Sequence, residues 1–106
     1  MILKKFNFSK ITSTNDMALK LIRANYKNGI ITSNIQTKGR GRHGKKWISV
    51  KGNLYMSIFF EIKKKISIKK LNKTNIKLVK KALQKFSKKN ISIKKPNDLL
   101  INKKKI

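Results

Sequence analysis

The 106-residue sequence predicts an α+β fold, enough for one small domain or part of a larger one. Two observations carry this. Five short runs of strand-forming residues are separated by turn signals, and two stretches repeat their apolar residues at helical spacing. The resulting order is strand, helix, two strands, helix, strand, strand, the mixed succession expected of α+β architecture.

Residues 2–8 (I-L-K-K-F-N-F) read as the first strand. Ser13-Thr14-Asn15-Asp16 then starts a helix, with Ser13 as N-cap and Asp16 at capping-box spacing near the positive end of the helix dipole. Met17, Ala18, Leu21 and Ile22 supply its apolar face, and Asn28-Gly29 is expected to stop it. Residues 30–36 form a strand with Ile31, Ser33 and Ile35 on one face. Residues 38–46, with three Gly and no apolar residue, form a loop. Residues 54–60 are apolar on both faces, as in a central strand. Residues 63–73 read as a low-complexity connector. Ile76, Val79, Leu83 and Phe86 then define an amphipathic helix. Residues 91–93 and 99–101 are strands, with Pro96 forcing a kink or an edge position between them. Asn102-Lys103-Lys104 forms a turn, after which a returning hairpin strand is expected, so the fold reads as incomplete at Ile106.

Charge dominates the composition. The 29 Lys and Arg face only three carboxylates, Asp16, Glu61 and Asp98, for a net charge of +26. Carboxylate-pair chemistry is excluded unless a partner comes from elsewhere. With no Cys and one His (His43), disulfides, thiol nucleophiles and Cys- or His-built metal sites are excluded too. No apolar run is long enough to cross a bilayer and no signal-peptide h-region opens the chain, so the expectation is a cytoplasmic protein without membrane association. The basic excess points toward polyanions. Yet the chain has 26 Lys, 16 Ile and 11 Asn, together half of its residues, and all three types have codons made only of A and T. Base-composition drift explains such an excess, and only three Arg, the preferred base reader, are present. A small basic nucleic-acid-binding protein therefore stands as the alternative reading, with no specific nucleic acid expected.

The segment with most chemical content is Gln36-Thr37-Lys38-Gly39-Arg40-Gly41-Arg42-His43-Gly44-Lys45-Lys46-Trp47. Its glycines allow positive φ and close backbone approach, its N–H groups form a candidate anion nest, and Arg42 and Lys45 add charge. A Walker A loop is rejected, because Lys46 stands where Ser or Thr must hold magnesium. Trp47 beside this cluster suits stacking on a purine.

With S-T-N at 13–15, N-L-Y-x-S at 53–57 and K-x-P-N-D at 94–98, this segment resembles the biotin protein ligases in order and spacing across the chain. The resemblance implies a mixed, mainly antiparallel sheet flanked by helices, related to class II aminoacyl-tRNA synthetase cores. It implies that residues 1–106 are the N-terminal half of a biotin/lipoate ligase-type catalytic domain, without a DNA-binding domain or a C-terminal β-barrel. It also implies an ATP-dependent, AMP-forming ligase whose 106-residue part alone is expected to be inactive. Biotin and ATP would be the substrates, Mg2+ would accompany ATP, and a biotin carboxyl carrier domain of acetyl-CoA carboxylase would accept the biotinyl group on a lysine.

By the same resemblance, Ser13, Thr14 and Gln36 would hydrogen-bond the biotin ureido ring. Gly39, Arg40 and Arg42 would order over biotin and the adenylate, with Arg42 holding the biotin carboxylate and phosphate. Lys45, Trp47 and Asn97 would belong to the adenylate site, with Trp47 on adenine. Lys94 would bridge the biotin carboxylate and the α-phosphate as the main catalytic cation, beside Arg42. No protein metal ligand is expected. The sequence departs from the family where Lys95 replaces a usual Trp and where His43 and Lys45 occupy positions often held by Arg. Lys45 keeps the charge but not the bidentate fork.

Overall fold

The computed structural model describes residues 2–106. It is α+β, with β1 (Lys5–Ile11), α1 (Thr14–Arg23), β2 (Asn28–Gln36), β3 (Tyr55–Phe60), α2 (Ile68–Gln84), β4 (Ile91–Lys94), β5 (Asp98–Ile101) and β6 (Lys104–Lys105). The chain divides into two compact units, residues 1–61 and 62–106. Among the described residues, no helix is long and apolar enough to cross a membrane.

In the first unit β2 is central, parallel to β1 and antiparallel to β3. Parallel neighbours need a crossover, and α1 supplies it. Phe6 and Phe8 of β1, Ile31 of β2 and Phe59 of β3 meet Met17, Ala18 and Leu21 of α1 in one core. Ser13 caps α1 as expected, its Oγ accepting the Asp16 N–H at 3.2 Å.

The first strand begins later than expected, at Lys5, because its pairing with β2 runs on from Lys5↔Ile30 to Ile11↔Gln36. The ladder needs only backbone groups, so Ser9 and Lys10 do not interrupt it. The helix stop is also displaced. α1 ends at Arg23, and Asn25 takes the left-handed conformation (φ 67°) that its short polar side chain tolerates. Gly29 instead lies buried within β2, where a Cβ would sit 2.6 Å from the Phe59 ring and 3.2 Å from that of Phe6. It is a glycine of close approach rather than of turning. Gly29→Ala is expected to destabilise the protein by about 1–3 kcal/mol through overpacking, read as a lower thermal midpoint.

Among the described residues, 54–60 supply an edge strand rather than the expected central one. Among the described residues β3 pairs only with β2; Tyr55 and Phe59 are buried while Met56, Ile58 and Phe60 are exposed. Apolar residues on both faces had concealed the alternation.

In the second unit, β4, β5 and β6 form an antiparallel sheet on which α2 packs. Its core joins Ile76 to Ile91 and Leu99, with Ile93 and Ile101 against them. α2 starts well inside the expected connector, because Ser67 caps it by accepting the Lys70 N–H at 3.1 Å. Of the four residues read as its apolar face only Ile76 is buried; Val79 and Leu83 are exposed, and Phe86 falls beyond the helix end. Pro96 occupies the β4–β5 turn rather than a strand. The last turn uses two residues, not three: Asn102 and Lys103 both have positive φ (52° and 62°), as a two-residue hairpin requires, and Lys104 already pairs with Ile101. The returning strand is thus present as β6.

Candidate active site

Thr14, the first residue of α1, carries one of the backbone N–H groups that every helix N-terminus leaves without an intrahelical acceptor. Gln36, the last residue of β2, supplies that acceptor: its Oε1 takes the Thr14 N–H at 2.8 Å and the Thr14 hydroxyl at 3.3 Å. An N–H is an unambiguous donor, so it fixes the Gln36 amide with oxygen toward α1 and nitrogen away. The Nε2 then donates to Ser49 Oγ at 3.0 Å, and the Ser49 hydroxyl donates to the Trp47 carbonyl at 3.2 Å. On the other side, Ser57 Oγ lies 2.8 Å from Thr14 Oγ1. With the Thr14 proton on Gln36, Ser57 is the donor. The five groups form one chain of donors running from Ser57 through Thr14, Gln36 and Ser49 to the Trp47 carbonyl.

This chain leaves defined capacity behind. Gln36 keeps one N–H of its amide, and Ser57 keeps its lone pairs. Such leftover donor and acceptor capacity suits a polar ligand group that carries both an N–H and a carbonyl, such as an amide or a cyclic urea. Ser49 and Ser57 were not singled out from sequence. Ser57 shares inward parity with Tyr55 and Phe59 and closes the quoted N-L-Y-x-S segment, a signal that could have found it. Ser49 had no comparable signal.

Residues 39–47 fold back on themselves as a small hairpin. Trp47 N–H donates to the Gly39 carbonyl (2.8 Å), Arg40 bridges Lys46, and Gly41 N–H donates to the Lys45 carbonyl (2.6 Å). The tip is one 3-10 turn at Arg42–Gly44, where His43 and Gly44 have positive φ (55° and 71°). Its glycines differ in role. Gly44 supplies the turn, whereas a Cβ on Gly39 would meet the Trp47 carbonyl at 2.6 Å and Ser49 Oγ at 2.7 Å. Three of the hairpin's amides, those of Gly41, Lys45 and Trp47, are hydrogen-bonded within the hairpin and so are taken out of any backbone anion nest.

Between the hairpin, its return segment and β2 lies a cleft of about 900 Å³, whose lining includes Gln36, Gly39, Arg40, Lys45, Trp47 and Ser49. This is the size of a small-molecule site. Five cations line it, Lys38, Arg40, Lys45, Lys46 and Lys51, against one carboxylate, Asp16, which pairs with Arg40. Trp47 exposes 46% of its surface there.

Of the residues expected at a site, Gln36, Gly39, Arg40, Lys45 and Trp47 are brought together in this cleft. Ser13 and Thr14 are buried, Ser13 as the helix cap and Thr14 as the partner of Gln36. Arg42 stands exposed at the hairpin tip, outside the cleft lining. Lys94 and Asn97 belong to the second unit, Lys94 ending β4 opposite Asp98 and Asn97 in the turn that follows; both are exposed. Asp98 is engaged by Lys105 at 3.2 Å, and no ion pair involves Lys94 among the described residues.

Solved structures share this fold. A biotin protein ligase from Aquifex aeolicus in complex with biotin and ATP matches with TM-score 0.84 and 29% identity, over 99% of this chain and 44% of that one. A biotin protein ligase from Leishmania major in complex with biotinyl-5-AMP matches with TM-score 0.80 and 26% identity, over 100% and 50%. A biotin acetyl coenzyme A carboxylase synthetase from Helicobacter pylori with bound biotinylated ATP, 24% identical at TM-score 0.80 over 99% and 52%, shows the same fold. The chain therefore spans about half the length of the structures it resembles. A family model matches residues 7–106, nearly the whole sequence, and on that match the chain belongs to the biotin/lipoate A/B protein ligase family.

Proposed function

We propose that this chain provides the biotin- and ATP-handling part of a biotin protein ligase. The observation that carries the reading is the hydrogen-bond chain through Thr14, Gln36 and Ser57 beside a cationic, tryptophan-lined cleft. The free donor and acceptors fit a cyclic urea; the cations fit a carboxylate and a phosphate. The solved Aquifex and Leishmania relatives, which hold biotin with ATP and biotinyl-5-AMP, support both halves of that fit.

In this reading Gln36, Thr14 and Ser13 orient the ureido ring, while Gly39 and Arg40 bring the hairpin over it. A biotin carboxylate oxygen attacks the α-phosphorus of ATP, the bond to the β-phosphate oxygen breaks, and pyrophosphate leaves. No protein nucleophile is needed, only positioning and cations placed where charge builds. Lys94 and Arg42 provide those cations, Lys45 and Asn97 hold the adenylate, and Trp47 packs on adenine. The mixed anhydride is then attacked by a lysine amine of a biotin carboxyl carrier domain. The amide C–N bond forms, the acyl C–O bond breaks with its electron pair leaving on AMP, and the amine proton passes to solvent. Mg2+ enters in this reading as part of the ATP substrate.

The test is biotin-dependent exchange of labelled pyrophosphate into ATP by the protein as its gene encodes it. Exchange that requires biotin supports the reading, and its absence in a folded preparation overturns it. Gly39→Ala separates site from scaffold. Its Cβ displaces the Trp47 carbonyl and Ser49 Oγ, so the KM for biotin is expected to rise about tenfold or more, the cost of misplacing a binding surface.

A further inference from the structure

Ser49 is only 4% exposed, and at its hydroxyl the end of β2 meets both arms of the hairpin. Gln36 Nε2, from β2, donates to it at 3.0 Å, and the hydroxyl donates in turn to the Trp47 carbonyl at 3.2 Å. The main chain bridges the same residue, the Ser49 carbonyl accepting the Gln36 backbone N–H at 3.3 Å. Gly39 is packed so closely over this spot that a Cβ there would lie 2.7 Å from Ser49 Oγ and 3.2 Å from Gln36 Nε2. The direction of the side-chain bonds is forced. An amide nitrogen only donates and a carbonyl only accepts, so the one hydroxyl proton points to Trp47 and a lone pair to Gln36.

A glutamine side chain turns about several torsions, the last of them broad, so an anchor at one end of its amide leaves the other end free to swing. Thr14 holds only Oε1, its N–H at 2.8 Å and its hydroxyl at 3.3 Å. Ser49 holds Nε2, the atom that carries the one N–H left for a ligand. Anchors at both ends of a planar group fix its place and, with it, the direction of that remaining N–H. Hydrogen bonds weaken steeply as they bend, so direction decides whether this N–H selects a ligand or only meets water. A side chain held in advance also costs less ordering when the ligand binds. We propose that Ser49 is a positioning residue for biotin recognition, acting through Gln36 to aim the hydrogen bond that reads the ureido group. The proposal rests on the ligase reading, in which Gln36 orients that ring. Trp47 has a second tie, its N–H donating to the Gly39 carbonyl at 2.8 Å, so the ring assigned to adenine keeps its place without the Ser49 hydroxyl.

The experiment is a double-mutant cycle, read by biotin-dependent pyrophosphate exchange with the protein as its gene encodes it. Ser49→Ala is expected to raise the KM for biotin about tenfold, the effect of one misdirected neutral hydrogen bond, with kcat and the KM for ATP within about twofold of the parent. In a Gln36→Ala background the same substitution should change the KM for biotin by less than about twofold, because the group it acts through is gone. Ser49→Cys retains most of the side-chain shape but offers only a weak donor and acceptor. Circular dichroism should show it folded, and it should repeat the rise in the KM for biotin. Equal effects of Ser49→Ala with and without Gln36, or a KM for ATP that rises as far as that for biotin, would overturn the proposal by showing a scaffold role. A folded Ser49→Cys variant with the parent's KM would overturn it as well. A folded parent without biotin-dependent exchange would instead overturn the ligase reading, and this proposal with it.

Discussion

Replacing Lys94 by alanine is expected to slow biotin-dependent pyrophosphate exchange by about 10²–10³-fold, the loss typical when a preplaced charge is removed from a developing oxyanion. The structural reason is the state of its neighbour. Lys94 stands opposite Asp98 across the β4–β5 ladder, but the Asp98 carboxylate is held by Lys105. The carboxylate that faces Lys94 across the ladder is thus already paired with another lysine. Because the residue is exposed and its partner contacts are backbone ones, the substitution should leave the thermal midpoint within about 1 °C of the parent, as for surface changes generally. Lys94→Arg should recover only part of the rate, since the planar fork cannot reproduce a point charge between two anions. Lys94→Ala with unchanged exchange would remove Lys94 from the catalytic role assigned to it. Exchange lost together with the midpoint would show a scaffold effect.

Ile31→Ala is expected to be the most destabilising single substitution in the first unit, at about 2–5 kcal/mol. Ile31 is fully enclosed (0% exposed) at the centre of β2, where Ala18 and Phe59 close over it and Phe6, Phe8, Met17 and Leu21 pack around them. The aromatic rings on either side are too large to collapse into the vacated volume. Against a total of about 5–15 kcal/mol for an ordinary domain, such a loss is decisive. The graded control is Ile31→Val, which should cost about 0.5–1.5 kcal/mol. Urea titration followed by circular dichroism reads both; an Ala variant within 1 kcal/mol of the parent would place the centre of that core elsewhere.

Local chemistry was the legible part of this sequence. Ser13 and Asp16 announced the start of α1, and Gln36, Gly39, Arg40, Lys45 and Trp47 were picked out as one segment and meet in one cleft. Non-local packing was the illegible part. Gly29 looked like punctuation until the Phe59 ring was placed against it, and β3 looked central because its outer residues are as apolar as its inner ones. The start of α2 was hidden for another reason: a lone Ser67 in a lysine-rich stretch lacks the acidic first turn that usually marks a helix entrance. Which of the loop's amides its own carbonyls take was not legible either, because glycine spacing reveals freedom of the chain and not hydrogen-bond partners. Ser49 escaped because its role depends on Gln36, thirteen residues away, and on a carbonyl two residues back.

The self-bonded hairpin has a consequence for how this site withstands mutation. A cradle of main-chain amides survives almost any change of side chain, because every residue but proline carries the same group. With the amides of Gly41, Lys45 and Trp47 engaged internally, more of the anion recognition rests on encoded cations, and each is open to replacement. AGA and AGG, two of the arginine codons, become lysine codons by a single G-to-A change, the direction in which an A- and T-rich coding sequence drifts. Two of the chain's three arginines, Arg40 and Arg42, stand within this one hairpin. Their forked guanidinium groups are the part of the hairpin that such drift erodes first, and loss of the fork would weaken the grip on a carboxylate or phosphate while leaving the net charge of the hairpin untouched.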